Sequence, residues 1–287
     1  MTNMITDGFI NIDKPIGMTS QRIDRAVKKM LNVKRVGHAG TLDPFASGVL
    51  PIAVGRAAKF IDFLSDDKSY RAEILFGRAT DTADCTGRTI EQPDDFEMPT
   101  ADRINETIKN FVGTIEQTPP KFSAVKLNGR KAYDLARRDI DFEIPTRTVT
   151  IDRIELISID GRLVTVDVDC RKGTYIRSLA VDIGNRLGVP VVLNGLRRTR
   201  SSGFSIGQSI AVENIRADSI VAVDECLKHL PSIELPSRRR RPFLNGLSTT
   251  LKNCVGGTVR VYCEGIFLGL GSIADGELNS MKLLLTE

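Results

Sequence analysis

Residues 37–51 read Gly37-His38-Ala39-Gly40-Thr41-Leu42-Asp43-Pro44-Phe45-Ala46-Ser47-Gly48-Val49-Leu50-Pro51. By residue type this is a tight loop feeding a strand. Asp-Pro starts turns, and glycines at 37, 40 and 48 supply unusual backbone angles. The apolar run through Val54 then continues as a strand. The stretch also gathers a histidine and an aspartate beside the basic pair Lys34-Arg35. A loop held between regular elements is where a reactive carboxylate is displayed on a rigid frame.

Outward from the loop, helix and strand periods are mixed. GFINI (8–12) reads as a strand closed by Asp13-Lys14-Pro15 and Gly17. Thr19 or Ser20 caps a helix whose Ile23, Ala26, Val27, Met30 and Leu31 share one face. A short helix falls around 57–64, and Tyr70, Ala72, Ile74 and Phe76 alternate along a half-buried strand. The polar, acidic segment 77–99 reads as a surface loop, and 101–112 as a helix. Residues 122–127 with Asn128-Gly129 form a strand and tight turn before a helix through Ala132 and Ala136. Strands follow at 147–159 and 162–170, where β-branched residues argue against helix. A helix over 174–187 has Gly188 and Pro190 as stop signals. A strand is expected at 203–206 and a helix over 212–230. Residues 231–241, with Pro231, Pro236 and Arg238-Arg239-Arg240-Arg241, read as a hinge or basic tether. Short β runs at 258–263, 266–270 and 281–285 complete the chain. The class is α+β, with domains at 1–230 and 231–287.

Composition narrows the chemistry. The 287 residues hold five cysteines at irregular spacing and two histidines, His38 and His229. No CxxC pair is present, so the thiols are expected to be reduced. Zinc sites and histidine-based triads have almost no material. Chemistry must run mainly on Asp, Arg, Tyr or Lys. No metal or cofactor is expected. Without a leader pattern or a long apolar run, the chain is expected to be cytoplasmic, with no membrane contact.

The net charge of +4 hides its distribution: +5 over 1–60, −7 over 61–120, +6 over 121–206 and 0 over 207–287. Two basic segments flanking an acidic one predict a positive cleft with acidic charge behind it. Arg22, Arg25, Lys28, Lys29, Lys34, Arg35, Lys121, Lys126, Arg130 and Lys131 are candidates for gripping nucleic-acid phosphates.

Five segments, in order, carry a resemblance. They are KPIGMTS (14–20), GHAGTLDPFASGVLP (37–51), SYRAEILFG with TDTADCTG (69–77 and 80–87), RKGTYIRSLAVDIG (171–184) and NGLRRTRSSGF (194–204). This series resembles the successive motifs of the bacterial tRNA pseudouridine-55 synthases, the TruB family. The resemblance implies a pseudouridine synthase fold, a mixed and largely antiparallel sheet around a central cleft, with a small β-rich PUA-like domain at 231–287. It implies isomerisation of a T-loop uridine in tRNA, without cofactor, metal or guide RNA, by a monomer that binds the T-arm. Arg200-Ser201-Ser202-Gly203-Phe204 departs slightly from relatives that carry a proline there.

Residue by residue, Asp43 matches the family's catalytic aspartate and Arg177 the arginine that pairs with it. Tyr70 matches the tyrosine stacked on the target base. Leu196 matches an apolar pocket wall and Tyr175 a pocket residue. His38 matches a residue packed against displaced nucleotides. Lys14 and Lys59 match basic positions near the site, and Asp84 an acidic residue at the cleft that orients an arginine. Residues 121–138 resemble a thumb-like segment that orders on RNA. Taken without the resemblance, Arg177 and the lysines are solvated surface, Tyr70 and Leu196 are core, and Asp84 is one more loop charge.

Overall fold

The apolar alternation of the first strand is paired and covered in the computed structural model, which describes residues 7–123, 125–127, 129–138, 140–251 and 255–285. Nothing is described for the side chains of Lys126 and Lys131 or for Cys254, so those expectations lie outside the described residues. Strand β1 (Gly8–Lys14) leads to helix α1 (Ser20–Met30), where the Thr19 hydroxyl accepts the Arg22 N–H and Ile23 and Val27 are buried. The short β2 (Val36–His38) and long β3 (Ser47–Val54) bracket the loop quoted above. Gly37 is an ordinary β2 residue; only Gly40 and Gly48 have positive φ there, so the expectation for Gly37 is corrected.

A 3-10 helix over Gly55–Phe63 precedes β4 (Asp67–Phe76). The acidic segment holds two small strands, β5 (Ala79–Thr80) and β6 (Thr89–Glu91). Then come α2 (Ala101–Lys109), β7 (Gly113–Gln117), the pair β8 (Lys126–Leu127) and β9 (Arg130–Lys131), and α3 (Ala132–Ala136). Strands β10 (Arg147–Asp160) and β11 (Leu163–Arg171) lead to α4 (Ile176–Leu187), which stops at Gly188 with φ 72°. Next are β12 (Val191–Ser201) and β13 (Phe204–Ser205). The helix expected over 212–230 is absent. Isolated 3-10 turns, β14 (Val221–Ala222) and a single turn α5 (Val223–Cys226) stand there instead. Only Ile215, Ile220, Val223 and Leu227 are buried apolar residues in that span, too sparse for a continuous helical face.

One sheet runs β14-β1-β3-β12-β4-β11-β10-β7, with β2 beside β3 and β13 beside β12. All its pairs are antiparallel except β3 with β12. Its strands alternate between two cores. Ile10, Ile12, Leu50, Ile52 and Val54 face α1, α2 and α4, whereas Phe9, Val49 and Ala53 face the 3-10 helix residues Ala57 and Phe60.

The second sheet runs β15 (Ser232–Glu234), β17 (Gly257–Cys263), β18 (Ile266–Ala274), β19 (Glu277–Leu283) and β16 (Thr249–Thr250). The stretch read as a tether is instead β15, in parallel pairing with β17, followed by α6 (Ser237–Leu244), which carries the four arginines and buries Phe243. Phe267 and Leu270 of β18 join Phe60, Val223 and Leu227 in one apolar cluster, so the two sheets share a core. At the same seam Arg260 Nη1 lies 3.1 Å from Asp224 Oδ1, and the Tyr262 hydroxyl donates to that oxygen at 2.5 Å.

Candidate active site

The loop between β2 and β3 is pinned at each side of its aspartate. Leu42, Phe45 and Ala46 are buried in the main core. The Ser20 hydroxyl, at the start of α1, accepts the Leu42 N–H at 2.9 Å and donates to the Leu42 carbonyl at 3.1 Å. The Asp43 carbonyl accepts the Ala46 N–H at 3.1 Å, and the Pro44 carbonyl accepts the Gly17 N–H at 2.7 Å. The Asp-Pro turn is therefore present, and it serves to hold one side chain up. The Asp43 side chain is 35% exposed, beside buried Leu42 and exposed Pro44.

Arg177, in the first turn of α4, is 5% exposed, and its Nε lies 3.0 Å from Asp43 Oδ2. Its Nη1 lies 3.4 Å from Asp84 Oδ2 and donates to the Thr82 carbonyl at 3.1 Å, while Nη2 donates to the Phe122 carbonyl at 2.9 Å. Asp84 is itself 5% exposed, and its Oδ1 accepts from the Thr82 and Thr86 hydroxyls and the Thr86 N–H. A guanidinium with two carboxylates and two carbonyls around it has most of its donors engaged and its plane fixed. The segment 77–99 is thus not wholly a surface loop, nor does its acid lie only behind the cleft: Asp84 is built into the site. Its neighbours Ala83 and Cys85 are stitched backbone to backbone onto Leu193 of β12.

Burial pushes the Asp43 carboxyl above the ordinary aspartate range; Arg177 opposes the rise, Asp84 adds to it and Lys14 opposes it. Lys14 is fully buried, and its ammonium donates to the Pro15 and Met18 carbonyls at 3.0 and 2.8 Å. Burial brings it down to about 8, against the pull of Asp43 and with a push from Arg198.

Tyr70 is buried on β4, directly opposite Val168 of β11 and Arg198 of β12. Burial raises its phenol above the usual range, and Arg198 works the other way. Leu196 is half-buried opposite Ala72 and packs on the main core. Tyr175 caps α4; its N–H and carbonyl bond the two ends of the Gln117 amide at 2.8 and 3.1 Å, and Arg147 lies over its ring. His38 is held by Asp24 at 2.7 Å through Nδ1 and by Thr41 at 3.1 Å through Nε2. Lys59 is exposed on the 3-10 helix, outside this cluster of contacts. Asp43, Arg177, Asp84, Lys14 and Tyr70 are thus brought together, with Tyr175 at the head of α4 beside Arg177.

Three residues escaped the sequence reading. Arg198 is fully buried, with its Nε donating to the Val49 carbonyl at 2.7 Å and its Nη2 to the Gly40 carbonyl at 3.0 Å. Its signal was parity. Counting by two from Leu196 places Arg198 on the inward face, opposite Tyr70. Lys68, two residues before Tyr70, is brought by burial to about 8, with Arg198 pushing the same way. Gln117, at the end of β7, carried no distinguishing pattern.

Beside His38, a groove of about 420 Å³ is lined by Asp24, Arg25, Lys28, Lys34, Arg35, Val36 and Ala58. Among the described residues no cluster could hold a metal ion and no helix is long and apolar enough to cross a membrane. Cys85, Cys170, Cys226 and Cys263 are unpaired thiols.

A family model described as TruB family pseudouridylate synthase, N-terminal domain, matches residues 28–176. The chain is 42% identical over 286 residues to a tRNA pseudouridine synthase B of Alkaliphilus oremlandii, covering 95% of each. A protein of the same name from Azoarcus is 38% identical, with 99% of this chain and 96% of that one covered. Among solved structures, a chain from a Cbf5-Nop10-Gar1 complex matches with a TM-score of 0.75 at 28% identity, covering 99% of this chain and 86% of that one.

Proposed function

Since the chain belongs to the TruB family of pseudouridylate synthases and isomerises uridine in tRNA to pseudouridine, we propose that its target is the T-loop uridine at position 55 and that Asp43 is the catalytic carboxylate. The observation that carries this assignment is the fixed trio Asp43, Arg177 and Asp84, in which two buried groups hold one part-exposed carboxylate. Breaking the C1′–N1 bond, turning the base and joining C1′ to C5 leaves the atom count unchanged. A proton departs from C5, and N1 ends protonated. The protein therefore supplies a carboxylate, a pocket and a proton acceptor.

Asp43 attacks C1′, adds to C6 or removes a ribose 2′ proton, and each route needs it ionised. Its burial opposes that, and the Arg177 guanidinium and the Lys14 ammonium act the other way, favouring the charged form. Tyr70 stacks on the flipped base and takes part in removing the C5 proton, which only its phenolate form can accept. Leu196 and Tyr175 wall the pocket and exclude water. Asp84 orients Arg177, and Lys59 stands at the outer basic rim.

Extruding a stacked base costs a few kcal/mol. Cations on phosphate oxygens offset it, and Arg25, Lys28, Lys34 and Arg35 already line one groove. His38, joined to that groove through Asp24 and to the loop through Thr41, packs against the nucleotides displaced when the target flips. Residues 1–230 form the catalytic domain and 231–287 an RNA-binding domain, in a cytoplasmic monomer that needs no guide RNA. The full-length match to proteins named tRNA pseudouridine synthase B supports that reading.

The test is to incubate unmodified tRNA with the purified chain alone and map pseudouridine by carbodiimide primer extension. Product at position 55 with the unaltered chain and none with Asp43→Asn is the expected result. Product from the Asn variant, or at another position, would refute the assignment.

A further inference from the structure

We propose that Arg198 is a positioning residue for Tyr70, holding the phenol in place from beneath the loop that carries Asp43. The inference rests on the role given to Tyr70 above. The geometry starts with two close strand contacts. β12 runs parallel to β3, with Arg198 beside Gly48, and antiparallel to β4, with Arg198 opposite Tyr70. Arg198 therefore stands between the strand that leaves the Asp43 loop and the strand that bears the tyrosine. The approach on the β3 side is so tight that a Cβ at Gly48 would lie 2.2 Å from the Arg198 carbonyl oxygen.

From that position the side chain serves the loop from below. Nε donates to the Val49 carbonyl at 2.7 Å, Nη2 to the Gly40 carbonyl at 3.0 Å and Nη1 to the Thr41 carbonyl at 3.5 Å. Only a guanidinium spreads donors over three carbonyls in one plane; an ammonium reaches from a single point. These bonds fix the guanidinium, and the Tyr70 phenol, on the strand position opposite, is the group whose ionisation it influences.

The charge itself calls for an explanation. Arg198 is fully buried and, among the described residues, forms no ion pair. A buried cation without a carboxylate is expensive, and the three carbonyl bonds account for the planar shape of the group rather than for its charge. What the charge adds is electrostatic. It favours ionisation of the Tyr70 phenol against burial, and it presses on the neighbouring Lys14 and Lys68 ammonium groups. Only the phenolate of Tyr70 can take a proton from C5, and a cation behind it favours that form while the fixed orientation aims it.

The experiment compares Arg198→Lys and Arg198→Gln, each in wild-type and Tyr70→Phe backgrounds. Thermal unfolding, tRNA affinity and single-turnover release of tritium from C5-labelled uridine in tRNA are measured. Both variants are expected to fold and to bind tRNA within threefold of wild type. Their single-turnover rate is expected to fall at least 30-fold, and by less than threefold where Tyr70 is already Phe. Equal losses in the two backgrounds would show that Arg198 supports the loop alone and would overturn the inference. So would a wild-type rate in Arg198→Lys, a rate loss matched by lost binding, or unfolding of both variants. Absence of product from the unaltered chain would instead refute the function on which the inference rests.

Discussion

At the scale of single residues, the site is a contest over one proton. The Asp43 carboxyl titrates higher than a solvated aspartate because burial outweighs its two cations. Its activity profile should therefore show an acidic limb above the ordinary carboxylate range, and single-turnover rates across pH will locate it. Removing the Lys14 charge with Lys14→Met should move that limb to still higher pH. The same shift has a sign for stability. A carboxyl whose folded pKa is raised favours folding while protonated, and that contribution is lost as pH rises through the folded value. At neutral pH an ionised Asp43 is thus a cost, and Asp43→Asn should unfold at the same or higher temperature while losing all turnover; calorimetry beside the activity assay checks both. Lys14 runs the other way: its folded value of about 8 lies below the ordinary lysine value of 10.5, so its contribution makes stability rise with pH across that window. Arg177→Ala should lower turnover at least 100-fold with tRNA binding retained, since the guanidinium touches Asp43 and Asp84 rather than the surface. An equal loss of binding would make it a phosphate contact.

Among the elements, legibility followed burial pattern. Helix α4 carried both its stop signal and an apolar face, and β4 alternated cleanly, so both are readable in the letters. Strand β12 was not, because Arg197, Arg198 and Arg200 obscure its inward face; the buried member of the three looks like its exposed neighbours. Residues 212–230 looked helical by composition, yet their backbone is spent on turns that lay the chain against β1. Asp84 was readable only through the resemblance, since its burial comes from the backbone stitching of Ala83 and Cys85 to Leu193, a contact distant in sequence. Strand pairing also sets a prediction. Gly48 has φ +105° and stands against the Arg198 backbone, so Gly48→Ala combines strain with a clash. It should destabilise by about 2 kcal/mol or more, in the range of buried strain and overpacking, and denaturant unfolding will measure it.

Across the whole molecule, charge placement matters more than its total of +4. The basic groove beside His38 collects side chains from α1 and from the turn before β2, while acid from the 61–120 segment is divided between Asp84 in the site and exposed pairs such as Asp66 with Arg171. If that groove holds phosphates, the double variant Lys34→Gln with Arg35→Gln should weaken tRNA binding uniformly and flatten its log affinity against log salt plot by roughly 1.5 to 2 units. Filter binding over a salt series reads that slope, and an unchanged one would place the phosphates elsewhere. The cluster of Phe60, Phe267 and Leu270 makes the molecule a caliper of fixed opening. Moving the C-terminal sheet toward or away from Asp43 would have to open that shared cluster to water. An RNA that touches both ends must fit that gap as supplied, so candidates are sorted by length of arm before any base is read.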